Sequence, residues 1–137
     1  MKSRSESLIR LKKFQVDEKR RQVAQIEMMV NDFTRMAGEL DQQIEIEQTK
    51  TGISDVAHFA YSTFAKAALA RRDNLIASAN DMREKLESAQ DGLAEALEDL
   101  KKVELLDQRE HQREAVEQLK VEQAEYDEMG RLRFRGQ

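Results

Sequence analysis

An apolar residue recurs at every seventh position through most of this chain. In the heptad notation abcdefg, the a positions of the first half are Ile9, Val16, Val23, Val30, Ala37 and Ile44. The d positions are Lys12, Lys19, Ile26, Phe33, Leu40 and Glu47, of which only the middle three are apolar. A seven-residue apolar repeat is typical of helices that pack side by side in a coiled coil.

The second half of the chain carries a repeat of its own. Its a positions are Ala65, Arg72, Ala79, Leu86, Leu93 and Leu100. Its d positions are Tyr61, Ala68, Leu75, Met82, Ala89, Ala96 and Val103, so that Arg72 is the exception among thirteen seam positions. Apolar spacing this regular argues against a disordered chain, although 36% of all residues are charged.

The segment between the two repeats combines a glycine with residues that cap helices. Gly52 can adopt the left-handed conformation that ends a helix, and Ser54 or Asp55 can cap the next one. The chain has no proline, the strongest helix breaker. We therefore predict a single all-α coiled-coil domain over residues 1–137. Its parts are a first helix over about 5–50, a turn at 51–54, a second helix over about 55–130 and a basic tail at 131–137.

The two repeats fit an antiparallel coiled-coil hairpin in which the second helix is longer and overhangs the first. A pairing that sets Val30 opposite Leu75, and Ile9 opposite Ala96, mostly places large residues against small ones. A slip of one heptad would also keep a positions opposite d positions. The first pairing leaves about thirty residues of the second helix, or about 45 Å, beyond the start of the first. We expect this extension to need a partner, because an isolated polar helix is marginal in water.

Composition excludes several classes of function. The chain has no cysteine, and so neither a disulfide framework nor a thiolate metal site. Apolar runs such as Met28-Met29-Val30 are too short to cross a bilayer, and no apolar signal-peptide region follows the basic N-terminus. A net charge of −4 argues against a general nucleic-acid binder. We predict no direct membrane insertion and no nucleic-acid partner.

Clusters that could carry chemistry are few. Asp107, His111 and Glu114 have a spacing that metal ligands use on a helix, but a solvated charged face is the better interpretation. The five glycines are scattered, so there is no glycine-rich loop to hold a phosphate. A two-helix coil offers no deep cleft that would shift the pKa of a carboxylate. We predict no catalytic residue, no cofactor and no metal, and a protein that is not an enzyme.

Apolar residues outside the seam fall into three groups. Phe59 and Phe64 follow the turn. Two interpretations stay open for them: they pack around the tip of the hairpin, or they form an exposed interaction site. Near the N-terminus, three apolar residues lie among arginines and lysines: Leu8, Leu11 and Phe14. Near the C-terminus, three apolar residues are interleaved with three arginines: Met129, Leu132 and Phe134 with Arg131, Arg133 and Arg135. Such a mixture is typical of protein-binding surfaces, although we expect this tail to be frayed in the free protein.

The order of these features resembles the FliJ family of flagellar export proteins. The shared features are a basic N-terminus with Leu8-Ile9-Arg10-Leu11, a Gly52-Ile53-Ser54 turn followed by aromatics, a longer second helix, and Tyr126-Asp127-Glu128 before a basic tail. The resemblance implies a cytoplasmic protein, peripherally associated with the inner face of the cell membrane at the flagellar base. It implies a stalk, similar to that of F-type ATPases, that binds a hexameric flagellar export ATPase and a membrane export gate protein. Escort of export chaperones is a further role that it implies.

The resemblance also assigns residues to two binding sites by their position in the chain. The ATPase-binding residues would be Leu8, Leu11, Phe14, Tyr126, Asp127, Glu128, Arg131 and Arg133. The gate-binding residues would be Tyr61, Phe64 and Ala68. The gate segment departs from the family by its richness in alanine.

Two other functions fit the same pattern. One is a structural homodimeric coiled-coil spacer, and the other is the equivalent stalk of a virulence type III secretion system. A stalk is expected to be a monomer in solution and a spacer a dimer, so light scattering distinguishes these two.

Overall fold

Two helices make up nearly all of the structure. This computed structural model describes residues 4–135, with α1 at Arg4–Thr51 and α2 at Thr63–Arg135. α1 has 48 residues and α2 has 73, and no strand occurs within the described part of the chain. The predicted ends of α1 are correct to within one residue. The all-α fold with a longer second helix is confirmed.

The predicted seam is the buried side of both helices. All twelve a and d positions of α1, from Ile9 to Glu47, are buried or half-buried. The same is true of all thirteen seam positions between Tyr61 and Val103. The most deeply buried apolar residues belong to this set: Val16, Val30, Ala37, Ile44, Tyr61, Ala65, Ala68 and Ala79. Both heptad registers are thereby confirmed.

Contacts divide the chain into two units, Asp17–Glu95 and a second made of Met1–Val16 with Ala96–Gln137. The first is an antiparallel coiled-coil hairpin, because the closing loop returns the chain so that Arg72 binds Asp41 and Arg83 donates to Thr34. In the second, the Ser5 hydroxyl donates to Glu110 Oε2 at 2.8 Å. The expectation of a single domain stays a prediction.

Cross-helix contacts in the Asp17–Glu95 unit correct the predicted pairing. That pairing would set Arg72 opposite Phe33, but its guanidinium lies 2.9 Å from Asp41 Oδ1, eight residues further along α1. The Lys19 side chain likewise reaches within 3.9 Å of the site of a Cβ on Gly92, six residues from the predicted partner. These displacements have the same direction and amount to about one heptad. The alternative register therefore applies, and it sets Val30 level with Met82.

Arg72 supplies a physical reason for this register. It is the one polar residue at an a or d position of the second repeat, and its side chain is 29% exposed. Hydrogen bonds to Asp41 and then Asp73 raise the pKa of Arg72 further above its ordinary value. A register that set the guanidinium against Phe33 would leave a partly buried charge without the Asp41 carboxylate.

The connection between the helices is longer than predicted, because α2 begins at Thr63 and not near residue 55. Gly52 ends α1 as expected, with a φ of 73° and its N–H bonded to the Gln48 carbonyl at 2.9 Å. Asp55 does not cap α2. Its Oδ1 accepts the Ala57 N–H at 3.0 Å, which closes a local turn inside the loop.

Ser62 is the residue that starts α2. Its hydroxyl accepts the Ala65 N–H at 3.2 Å, which is the N-cap arrangement, and donates to Glu47 Oε1 at 3.0 Å. Beside it, the Gln48 amide donates to the Tyr61 hydroxyl at 2.9 Å. The start of α2 is thus set by the end of α1, which explains why a cap at residues 54–55 was the wrong prediction.

The predicted basic tail is helical as far as the structure describes it. α2 continues through Arg135, while residues 136 and 137 lie outside the described part. The structure thus has helix at 131–135, and the expectation that this end frays in the free protein stays a prediction. Arginines in the last turn favour a helix, because their charge interacts well with the negative end of the helix dipole.

Loss of the Ser62 cap is expected to destabilise the hairpin. Ser62→Ala removes both the bond to the Ala65 N–H and the bond to Glu47, and should cost about 1–2 kcal/mol of unfolding free energy. Urea unfolding followed by circular dichroism measures the change. Ser88→Ala, at an exposed position inside α2, is the matched control and should be neutral or slightly stabilising. Equal midpoints for both variants would contradict this account of the cap.

Candidate interaction surfaces

The first turns of α1 expose an apolar surface, which we call the N-terminal patch. Its members are Leu8, Leu11 and Phe14, which are 41%, 50% and 56% exposed. They lie off the seam, whereas Ile9 between them is half-buried. Arg10 and Lys13, also exposed, add positive charge to the same stretch of helix. The patch therefore combines apolar contact area with basic groups, as the sequence predicted.

The last turns of α2 expose a second surface of the same kind, the C-terminal patch. Its apolar members are Tyr126, Met129, Leu132 and Phe134, between 59% and 82% exposed. Its charged members are Asp127, Glu128, Arg131, Arg133 and Arg135, all exposed. One weak ion pair joins Arg131 to Glu128 at 3.7 Å, and Asp127 accepts a hydrogen bond from Gln123 at 3.2 Å. Most of the cationic groups are therefore available to a partner.

The two patches belong to one contact unit but lie at different levels of it. Ser5, just before the N-terminal patch, is bonded to Glu110 of α2. Tyr126 follows Glu110 by sixteen residues on the same helix, which is about 24 Å at the helical rise. Every residue from 108 to 135 is exposed, so α1 leaves most of this extension of α2 uncovered. The eight residues assigned to ATPase binding thus form two separate surfaces.

The predicted gate residues divide between the seam and the surface. Tyr61 and Ala68 are 9% and 6% exposed, so their side chains belong to the core of the hairpin. Phe64 is 57% exposed and is the one member of this set that can offer its side chain to a partner. This division was visible in the heptad pattern, because Tyr61 and Ala68 occupy d positions and Phe64 does not.

Phe59 in the connection is the most exposed large apolar residue of the described chain, at 97%. Its ring stacks on His58 with centroids 4.8 Å apart, and the His58 Nδ1 accepts the Ala60 N–H at 3.0 Å. The interpretation in which Phe59 packs around the tip is therefore wrong, and the interpretation in which its side chain is exposed is correct. Phe59 was absent from the predicted gate residues, although its place outside the heptad lattice was visible in the sequence.

The Asp107–His111 pair shows what that spacing does in the structure. The His111 Nδ1 lies 2.8 Å from the Asp107 carbonyl oxygen and 3.5 Å from its Oδ1. The hydrogen bond to that carbonyl, followed by the nearby carboxylate, raises the pKa of His111 above its ordinary value. Within residues 4–135, no group of three or more His, Cys, Asp or Glu side chains is arranged to hold a metal ion. The geometry is that of a local helix contact.

A heptad seam with exposed apolar and basic side chains beyond it is typical of coiled-coil proteins that bind other proteins. The chain belongs to the FliJ family, because the family model described as flagellar FliJ protein matches residues 1–137. Searches of curated proteins and of solved structures gave no match. The predicted family is confirmed, and the chain is a component of flagellar protein export. The family is a non-catalytic component of flagellar export. Within residues 4–135, neither α1 nor α2 contains an apolar stretch that could span a bilayer.

Proposed function

We propose that this chain is the stalk that binds the hexameric flagellar export ATPase and links it to the membrane export gate. The observation that carries the proposal is the extension of α2, in which every residue from 108 to 135 is exposed. Most of the stability of a helix in a protein comes from packing of its apolar face, which this extension lacks unless another surface covers it. Its apolar and basic end has the composition of a protein interface.

The ATPase contacts are assigned to the two patches of the end unit. At the C-terminal patch, Tyr126 supplies an aromatic anchor, while Arg131 and Arg133 supply cations that can bind carboxylates in bidentate geometry. Asp127 and Glu128 are available for basic groups of the ring. At the N-terminal patch, Leu8, Leu11 and Phe14 supply apolar area. Because the two patches lie at different levels along α2, they contact the ATPase ring at two different depths.

The gate contact is assigned to the start of α2, with Phe64 as its anchor. Phe59 extends this exposed aromatic surface onto the loop. Tyr61 and Ala68 serve the same surface from inside, because their burial fixes the first turns of α2 against α1. The Gln48–Tyr61 and Ser62–Glu47 hydrogen bonds hold the segment that precedes Phe64.

Location and further partners follow from this role. The protein acts as a monomer in the cytoplasm and is held at the inner face of the cell membrane through the gate protein. Export chaperones are assigned to the middle of the α2 extension, where Val116, Leu119 and Val121 are 48–64% exposed. The homodimeric spacer remains the competing function, and a stable dimer in light scattering at micromolar concentration would favour it.

Two single substitutions should each weaken binding to one partner and leave binding to the other unchanged. Phe64→Ala is expected to weaken binding to the soluble domain of the gate protein by at least about thirtyfold, the cost of losing one aromatic anchor of about 2 kcal/mol. Its ATPase binding should not change. Phe14→Ala should have the opposite pattern, and each variant is thus the control for the other. Isothermal titration with each purified partner measures both affinities.

Circular dichroism melts of both variants should match the unaltered protein, because both side chains are more than half exposed. Loss of both affinities in either variant would show a general defect and contradict the assignment of separate sites. Failure of the unaltered chain to bind either partner would overturn the proposed stalk.

A further inference from the structure

Gly130 lies inside the last turns of α2, where a glycine is unfavourable. Helical glycine costs more conformational entropy than alanine and contributes no side chain to the helix surface. Among the described residues only Gly52 has a positive φ, so the backbone at Gly130 does not require glycine. Apart from its chain neighbours and the adjacent helix backbone, no atom of the described residues lies within 4 Å of the place where a Cβ on Gly130 would stand. Nothing within the chain therefore explains the absence of a side chain there.

Two aromatic residues flank Gly130 at a spacing of four residues on either side. Tyr126 and Phe134 are 75% and 82% exposed, and stand about 12 Å apart along the helix axis. Residues at i, i+4 and i+8 form one ridge of a helix surface, and the missing side chain at its centre makes a notch. The residues that line the notch are Tyr126, Asp127, Gly130, Arg131, Phe134 and Arg135.

The charge around the notch is positive. Arg131 and Arg135 lie on the same rim as Asp127, whose Oδ1 already accepts a hydrogen bond from Gln123. Arg131 is 73% exposed and meets Glu128 only at 3.7 Å. Residues 129–137 contain no Asp or Glu. The rim therefore suits a surface that carries carboxylates, while the aromatic walls suit an apolar side chain.

We propose that the Gly130 notch receives one apolar side chain of the export ATPase, with Arg131 and Arg135 bound to carboxylates beside it. This inference rests on the proposed stalk function. It adds to that function the place where the ATPase comes closest to the backbone of α2. A glycine at the centre lets the partner reach the helix backbone, where any Cβ would occupy the same space. Tyr126 and Phe134 then contact the inserted side chain from both ends.

Gly130→Ala tests the notch with opposite effects on the free and the bound protein. In the free chain the added methyl group meets open space and favours the helix, so helix content and thermal stability should be equal or higher. In the complex the methyl group occupies the notch, and affinity for the purified ATPase should fall at least tenfold. Gly38→Ala is the matched control, since Gly38 is also helical and also has open space around its Cβ position. It should bind like the unaltered chain.

Isothermal titration of the full chain with the ATPase gives these affinities, and light scattering gives self-association. Equal binding by Gly130→Ala and the unaltered chain would overturn the notch while leaving the stalk function intact. Equal loss in both glycine variants would assign the effect to helix rigidity and also overturn it. A change of self-association in Gly130→Ala alone would assign the notch to a second copy of this chain. No binding by the unaltered chain would overturn the proposed function, and this inference with it.

Discussion

Val30→Asp is expected to lower the unfolding free energy by about 2–5 kcal/mol, the largest effect on stability that we predict. Val30 is 8% exposed and lies at an a position in the middle of the seam. A carboxylate there either loses its hydration or opens the coiled coil around it. Val30 lies level with Met82, whereas the predicted pairing set it opposite Leu75. Both residues are apolar, so the correction of the pairing does not change the expected cost.

Thermal melting followed by circular dichroism measures this effect, and a fall of about ten degrees or more is expected. Val116→Asp is the matched control. It makes the same substitution inside a helix, but at a position that is 51% exposed and off the seam. A melting temperature for Val30→Asp within a few degrees of that of the control would contradict the seam assignment.

On the proposed stalk function, reversal of Arg131, Arg133 and Arg135 to Glu is expected to abolish binding to the export ATPase, and with it the stimulation of ATP hydrolysis that we expect from a bound stalk. Each lost charge-assisted contact costs about 1.5–3 kcal/mol, so even partial use of the three arginines gives at least about a hundredfold loss of affinity. The three residues are part of α2, and glutamates so close to the helix C-terminus also interact badly with its dipole.

A second variant separates charge from helix fraying. Replacement of the same three arginines by Gln removes the cations while keeping good helix formers, and should lose most of the stimulation as well. Reversal of Lys66, Arg71 and Lys85 to Glu changes the net charge equally at exposed positions of the hairpin and should leave stimulation intact. Normal stimulation by both tail variants would show that these arginines are only solvated.

The heptad registers were readable from the sequence because they depend on local spacing alone. A residue such as Val23 or Leu86 lies on the seam whatever its partner is, since the helix period fixes which side chains share a face. The exposed patches followed by elimination, because Leu11 and Phe134 are apolar yet lie outside both repeats. Family membership was also predictable, since the order of basic N-terminus, turn, aromatics and basic tail is a property of the sequence.

The pairing of the two helices was decided only by tertiary structure. Registers that differ by one heptad both set a against d, and the choice depends on Arg72 meeting Asp41 across the interface. The start of α2 was decided in the same way, because the Ser62 cap is bonded to Glu47 on the other helix, and Asp55 is engaged in its own turn. The sequence by itself therefore determined which face of each helix is buried. Contacts between residues far apart in the chain determined where α2 begins and how the helices align. Local spacing within one helix carries no information about the other helix of the coiled coil.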